Sequence, residues 1–153
     1  MKLRNLLLAV CLCSMINISY SYHSIDTIQP ITNSDDIFTT VEQMPIFITD
    51  CKGTEQERRA CGEKALLNFI YKHIKYPTIA RENNITGKIV VRFIIEKNGS
   101  ISNIEIIRNV GAELGEEMVR VIKKIPPQSW EAGKQNGQSV RVQLYLPITI
   151  CLE

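Results

Sequence analysis

Histidine is scarce in this chain: His23 and His73 are its only imidazoles. Neither a Cys-x-x-Cys redox pair nor a glycine-rich phosphate loop accompanies them. The acidic pairs Asp35-Asp36 and Glu116-Glu117 are adjacent, so their side chains point to different sides and form no paired-carboxylate site. Gly111 and Gly115, near a helix start, read as turn and packing residues. A nucleophile, a base and an orienting acid cannot be assembled from this set, so an enzyme is not expected and no cofactor is implied.

A basic surplus is missing too. The formal net charge is +2, and removing Lys2 and Arg4 from the 18 basic residues leaves 16 against 16 acidic ones. Nucleic-acid binding needs a clustered positive excess, so that class is excluded. There is also no apolar run of the roughly 20 residues that cross a bilayer. The apolar stretch from Leu6 to Met15 is short and interrupted by Ser14, with Asn17 just beyond. With Lys2 and Arg4 before it and Ser19-Tyr20-Ser21 after it, residues 1–21 read as an export signal cleaved after Ser21. An uncleaved anchor is the other reading. A lipid-modified cysteine is disfavoured, because Val10 and Leu12 stand where a small residue would precede Cys11 or Cys13.

Beyond the signal the chain keeps three cysteines, Cys51, Cys61 and Cys151, an odd number that leaves one thiol over. In an exported chain, Cys51 and Cys61 read as a disulfide that closes a loop of about ten residues and pins a helix start to the preceding segment. Free thiols remain open as an alternative. So does a metal site recruiting His73, although its spacing matches no structural zinc pattern.

Residues 22–43 are polar, rich in Ser, Thr, Asp and Asn around a single Pro30, and read as a flexible leader. Residues 44–75 form a cysteine-containing helical extension. It opens with Met44-Pro45-Ile46-Phe47-Ile48, a candidate edge strand. Thr54 then makes a helix N-cap, with Glu55 and Glu57 in the first turn and Ala65, Leu66, Phe69, Ile70 and Ile74 on one face. Pro77 stops that helix, and a short one follows over residues 78–83. Ile89, Val91, Phe93 and Ile95 alternate through a strand over 88–96, and Asn98-Gly99 turns it into a partner strand over 102–109. Residues 111–124 return to helical spacing with Leu114, Met118, Val121, Ile122 and Ile125, ended by Pro126-Pro127. A last strand begins at Val140. The expected architecture is α+β: a small three-stranded antiparallel sheet of order 2-1-3, with two or three helices on one face.

The succession of motifs over residues 76–153 resembles the C-terminal domain of TonB. It runs from Tyr76-Pro77-Thr78-Ile79-Ala80-Arg81 through Gly87-Lys88-Ile89-Val90-Val91-Arg92-Phe93 and Lys97-Asn98-Gly99-Ser100. Gly133-Lys134-Gln135-Asn136-Gly137 and the strand from Val140 to Ile148 complete it. Ser129-Trp130-Glu131-Ala132-Gly133 matches the family's Trp-x-Pro-Gly pattern, with Ala132 in place of proline. Trp130 reads as a core anchor for that loop. The cysteine pair ahead of Tyr-Pro resembles forms of the domain found in Bacteroidetes.

The resemblance implies a periplasmic protein of a Gram-negative bacterium that binds a peptide segment of TonB-dependent outer-membrane transporters and supports energy-coupled nutrient import. If anchored, it would also engage an inner-membrane proton-motive-force complex. The segment around Tyr-Pro contacts the transporter peptide in that family, which makes His73, Ile74, Lys75, Tyr76 and Pro77 candidate contacts. An outermost last strand would offer the backbone of Val140, Arg141, Val142, Gln143, Leu144 and Tyr145 to an incoming strand. Arg141 and Gln143, on one face, would discriminate its side chains. A full transducer has an anchor and a long proline-rich spacer, whereas this leader is short and carries one proline. A stand-alone periplasmic interaction module, using the same edge for a partner or for a homodimer, is therefore the second expectation.

Overall fold

In the computed structural model, residues 36–151 are described; the expected signal segment 1–21 and leader residues 22–35 lie outside them. Helix α1 (Glu55–His73) starts where a capping box predicts it. Thr54 Oγ1 accepts from the Glu57 amide at 3.3 Å, and Glu57 Oε2 accepts from the Thr54 amide at 2.8 Å. This pairing to Thr54, first through its backbone N–H, holds the Glu57 carboxyl below its ordinary range. The buried stripe is Gly62, Leu66 and Ile70. The helix stops at Ile74, which turns extended ahead of Tyr76-Pro77. Pro77 then sits at the N-cap of α2 (Thr78–Glu82).

Helix α3 (Leu114–Ile122) is shorter than its periodicity suggests. Gly111, Ala112 and Glu113 all take positive φ, at 86°, 52° and 64°, so helical geometry cannot begin before Leu114. Leu114, Met118, Val121, Ile122 and Ile125 are buried, as the spacing predicts.

The main sheet is built on β3 (Gly87–Ile95), which pairs antiparallel with β4 (Ile101–Arg108) and with the long last strand β7 (Gln138–Ile150). Ile89, Val91, Phe93 and Ile95 are buried against Leu66 and Ile70 of α1 and Leu114, Met118, Val121 and Ile122 of α3. At the β3–β4 turn only Gly99 takes positive φ, 77°. Asn98 instead uses its side chain, accepting from the Ser100 amide at 3.0 Å.

The expected order 2-1-3 is present as β4-β3-β7, but three strands is too few, and the sheet is not wholly antiparallel. β1 (Ile37–Phe38) lies parallel to Arg141 and Val142. β6 (Gly133–Gln135) folds back on Gln138, Ser139 and Val140 through a turn in which Asn136 and Gly137 have φ of 51° and 73°. The sheet is therefore five-stranded and mixed. Residues 36–43, assigned to the leader on composition, are structured because Val41 packs with Val140 and Val142 beneath Phe38. A second, two-stranded ribbon joins β2 (Ile46–Phe47) to β5 (Trp130–Glu131).

Cys51 and Cys61 are disulfide-bonded, with Cα atoms 6.5 Å apart, which removes the free-thiol and metal alternatives for that pair. The bond ties the β2–α1 connection to the second turn of α1. There Gly62 lets the helix approach β2 so closely that a Cβ would stand 2.6 Å from the Phe47 carbonyl oxygen. Cys151 is exposed and free.

Candidate functional site

The last strand is hydrogen-bonded along one side to β3 in one unbroken register, from Gly87 opposite Ile150 to Ile95 opposite Val142. Successive residues of such a strand turn their backbone groups to opposite sides. Two features fix which set faces outward. Pro147 has no N–H, and a proline is accommodated in a paired strand when that missing donor faces away from the partner. The Thr149 carbonyl accepts the Tyr71 hydroxyl at 3.2 Å, so it too points away from β3.

Odd-numbered residues of β7 therefore present their N–H and C=O outward. Arg141 is already opposite β1. Ser139 stands opposite Lys134 of β6, whose own backbone groups bond Gln43 instead, so β6 meets β7 through the other set. Beyond Val142 no described strand lies on this side. Gln143 and Tyr145, with the Pro147 carbonyl, make up the open row.

This divides the expected strand-edge residues into two groups. Arg141 and Val142 lie beside β1, because the end of the leader returns to the sheet there, and Val140 is paired with Gly133 of β6. Gln143, Leu144 and Tyr145 have neither strand on their outer flank. Arg141 and Gln143 share a face, as read from the sequence. The Arg141 guanidinium grips Glu96, with Nε 2.8 Å from Oε2 and Nη2 3.0 Å from Oε1. That contact, aided by Ser102, holds the Glu96 carboxyl below its ordinary range against the opposing effect of burial. Gln143 Nε2 donates to Tyr145 Oη at 3.1 Å, and Tyr145 is 54% exposed. Leu144 turns to the helix side and is half-buried.

The other candidate contacts are organised by α3 and the loop after α2. His73 Nδ1 lies 2.7 Å from the Phe69 carbonyl oxygen, and its ring packs on Phe69 with centroids 4.2 Å apart. Arg120 Nη2 donates to the His73 carbonyl at 2.9 Å, and the Lys75 amide donates to Glu117 Oε1 at 2.6 Å. Glu117 is held below the usual carboxylate range, first by Arg120 and then by that amide, against desolvation. The Tyr76 hydroxyl donates to the Ile85 carbonyl. These bonds run to α1, α3 and the α2–β3 loop, and none of them runs to the β7 edge.

A feature the sequence reading did not anticipate lies beside the open row. A cavity of about 420 Å³ separates β7 at Leu144, Tyr145, Leu146 and Pro147 from β2 and from Arg59, Glu63, Leu66 and Leu67 of α1. Trp130 and Phe93 also line it. Trp130 is 8% exposed and meets Phe47 edge-on at 5.3 Å and Phe93 at 6.0 Å. It is an anchor for its loop, and its Nε1 is buried without a hydrogen-bond partner. The adjacent Leu66 and Leu67, which widen the apolar stripe of α1 beyond one narrow face, were the available signal for this wall. No group of three potential metal-ligating side chains forms among the described residues.

The described residues include no helix long and apolar enough to cross a membrane. Two NMR solution structures of the Helicobacter pylori TonB C-terminal domain are similar to the chain. One has 24% identity and a TM-score of 0.42, covering 56% of this chain and 76% of that one. The other has 23% identity and the same TM-score, covering 57% of this chain and 89% of that one. No curated protein gives a significant match. The family model for the Gram-negative bacterial TonB protein C-terminal matches residues 72–149, from the end of α1 to the end of β7. That match spans just over half of the 153 residues, and the protein belongs to the TonB C-terminal family, a protein-interaction domain rather than an enzyme.

Proposed function

We propose that this protein works in the periplasm as a TonB-like adaptor. It receives an extended peptide segment of a TonB-dependent outer-membrane transporter as an added strand on β7, in support of energy-coupled nutrient import. The observation that carries this reading is the outward backbone of Gln143 and Tyr145, which has no strand beside it among the described residues, in a family of interaction domains. An unpaired edge supplies N–H donors and C=O acceptors at strand spacing, so affinity comes from backbone bonds and discrimination from alternate side chains. On this reading Gln143, Leu144 and Tyr145 are the primary contacts. Val140, Arg141 and Val142 join only if β1 is displaced, and His73, Lys75, Tyr76 and Pro77 contact the peptide where it runs on past the edge.

The test is a titration of the isotope-labelled chain with synthetic peptides copied from the periplasm-facing segments of such transporters. Gln143 and Tyr145 amide signals should move first. If they stay in place while others shift, strand addition is wrong. Force transmission adds a separate requirement, a continuous tether to the inner membrane. An intact N-terminus in the membrane fraction supports a transducer, and a chain beginning at Tyr22 supports a stand-alone module.

A further inference from the structure

We infer that the cavity beside β7 is a side-chain pocket for the added strand, making this protein selective for peptides that carry large apolar residues at two alternate positions. The inference rests on the strand-addition reading and specifies what the strand must look like.

Three features of the edge lead to it. First, the open row is short. Phe38 of β1 stands opposite Val142 at one end. At the other, Pro147 lacks a donor and Tyr71 occupies the Thr149 carbonyl. A guest strand therefore pairs within residues 143–147. Second, the geometry of pairing fixes its faces: a residue directly opposite another puts its side chain on the same side of the sheet. Guest residues opposite Leu144 and Leu146 point to the helix side, where those two leucines are half-buried and line the cavity. The guest residue between them, opposite Tyr145, points to the other face. That face carries Gln143, Tyr145 and the Arg92–Glu105 ion pair, and is polar.

Third, the cavity is lined mainly by apolar side chains, Phe47, Leu67, Phe93 and Trp130 among them, with Arg59 and Glu63 of α1 as its charged members, and its volume falls in the range of pockets that enclose ligand groups. The two walls from β2 and α1, Phe47 and Leu67, lie outside the family match, which begins at residue 72. The cysteine-bridged extension thus adds a recognition element to an edge that would otherwise read mainly backbone. The partner is an extended segment of pattern apolar–polar–apolar. The pattern holds whether the guest runs parallel or antiparallel to β7, because side-chain alternation is the same in both.

The test uses the full chain and three synthetic eight-residue peptides, each lysine-flanked with threonine at alternate positions. Leucine, alanine or aspartate occupies the two intervening sites. Amide signals of Gln143 and Tyr145 report strand addition, and Trp130, the sole tryptophan, reports the pocket through its indole signal and fluorescence. The leucine peptide should bind about tenfold or more tightly than the alanine peptide, since even one methylene in an apolar pocket changes affinity on that scale. The Trp130 signal should move with leucine only. Leu67→Ala, which enlarges the pocket from a half-buried helical position, should shift preference toward a phenylalanine version of the peptide.

Equal binding of leucine and alanine peptides, with the edge amides shifting in both, overturns the pocket and leaves strand addition standing. Edge amides that respond to none of the peptides overturn the strand-addition reading and the pocket together.

Discussion

The hydroxyl of Tyr71, on α1, donates to the carbonyl of Thr149, on the outer row of β7, at 3.2 Å. One helical side chain thereby closes one end of an otherwise open strand edge, while β1 closes the other. Tyr71→Phe keeps the ring and removes only the donor. Because Tyr71 is 51% exposed, the loss of stability should stay within about 1 kcal/mol. In a peptide titration of this variant, the perturbed amides should extend from Tyr145 to Thr149. Urea unfolding and an amide shift map would check the two halves of this prediction.

The Glu96–Arg141 pair makes stability sensitive to acid. Glu96 titrates below its ordinary range in the folded chain, so its contribution is complete above the unfolded carboxylate value of about 4.3 and fades as pH falls through the folded value. Glu117, lowered by Arg120, acts in the same direction and the same window. Glu96→Gln should cost about 1 kcal/mol at pH 7 and much less at pH 3. Urea midpoints of both proteins at the two pH values give the comparison. A gap that widens in acid would contradict the assignment.

Reducing the Cys51–Cys61 bond, with ten residues of sequence separation, should lower stability by about 2–3 kcal/mol on the chain-entropy estimate. Among the described residues Cys151 is free and Cys51–Cys61 is the one disulfide, so a chain beginning at Tyr22 assigns any loss on reduction to that bond. Unfolding with and without reductant measures the difference. Replacing both cysteines by serine should reproduce it.

Gly62→Ala tests the contact between α1 and β2 by its sign. In an exposed helix interior the change would stabilise by up to about 1 kcal/mol. Here the new Cβ meets the Phe47 carbonyl oxygen at 2.6 Å, so helix or ribbon must move, and the net result should be a loss of about 1–2 kcal/mol. Since Phe47 packs edge-on against Trp130, tryptophan emission should shift as well. Thermal unfolding followed by fluorescence reads both effects.

Much of this molecule is written in local pattern. Thr54 and Glu57 cap a helix, Pro77 and Pro126-Pro127 end two, and the alternation of Ile89, Val91, Phe93 and Ile95 marks a strand with one face wholly buried. Those signals, each spanning a few residues, were enough for the class of fold and for the order β4-β3-β7. Asn136-Gly137 carries the same turn signal as Asn98-Gly99; the three-strand reading left it unused, and it folds β6 back on the start of β7.

The site was less legible, for a physical reason. Ile37 and Phe38 are two apolar residues in a polar stretch, too short to show any period. They become a strand only because Val41 finds Val140 and Val142 about a hundred residues away in sequence. The pocket, likewise, exists only where β2, α1 and β7 converge. The sequence by itself determined the three helices and the three long strands, through periodicity, caps and turn residues. Tertiary structure alone decided which part of β7 stays open and what stands beside it, because an edge is defined by what fails to pair with it, and that depends on every other segment of the chain.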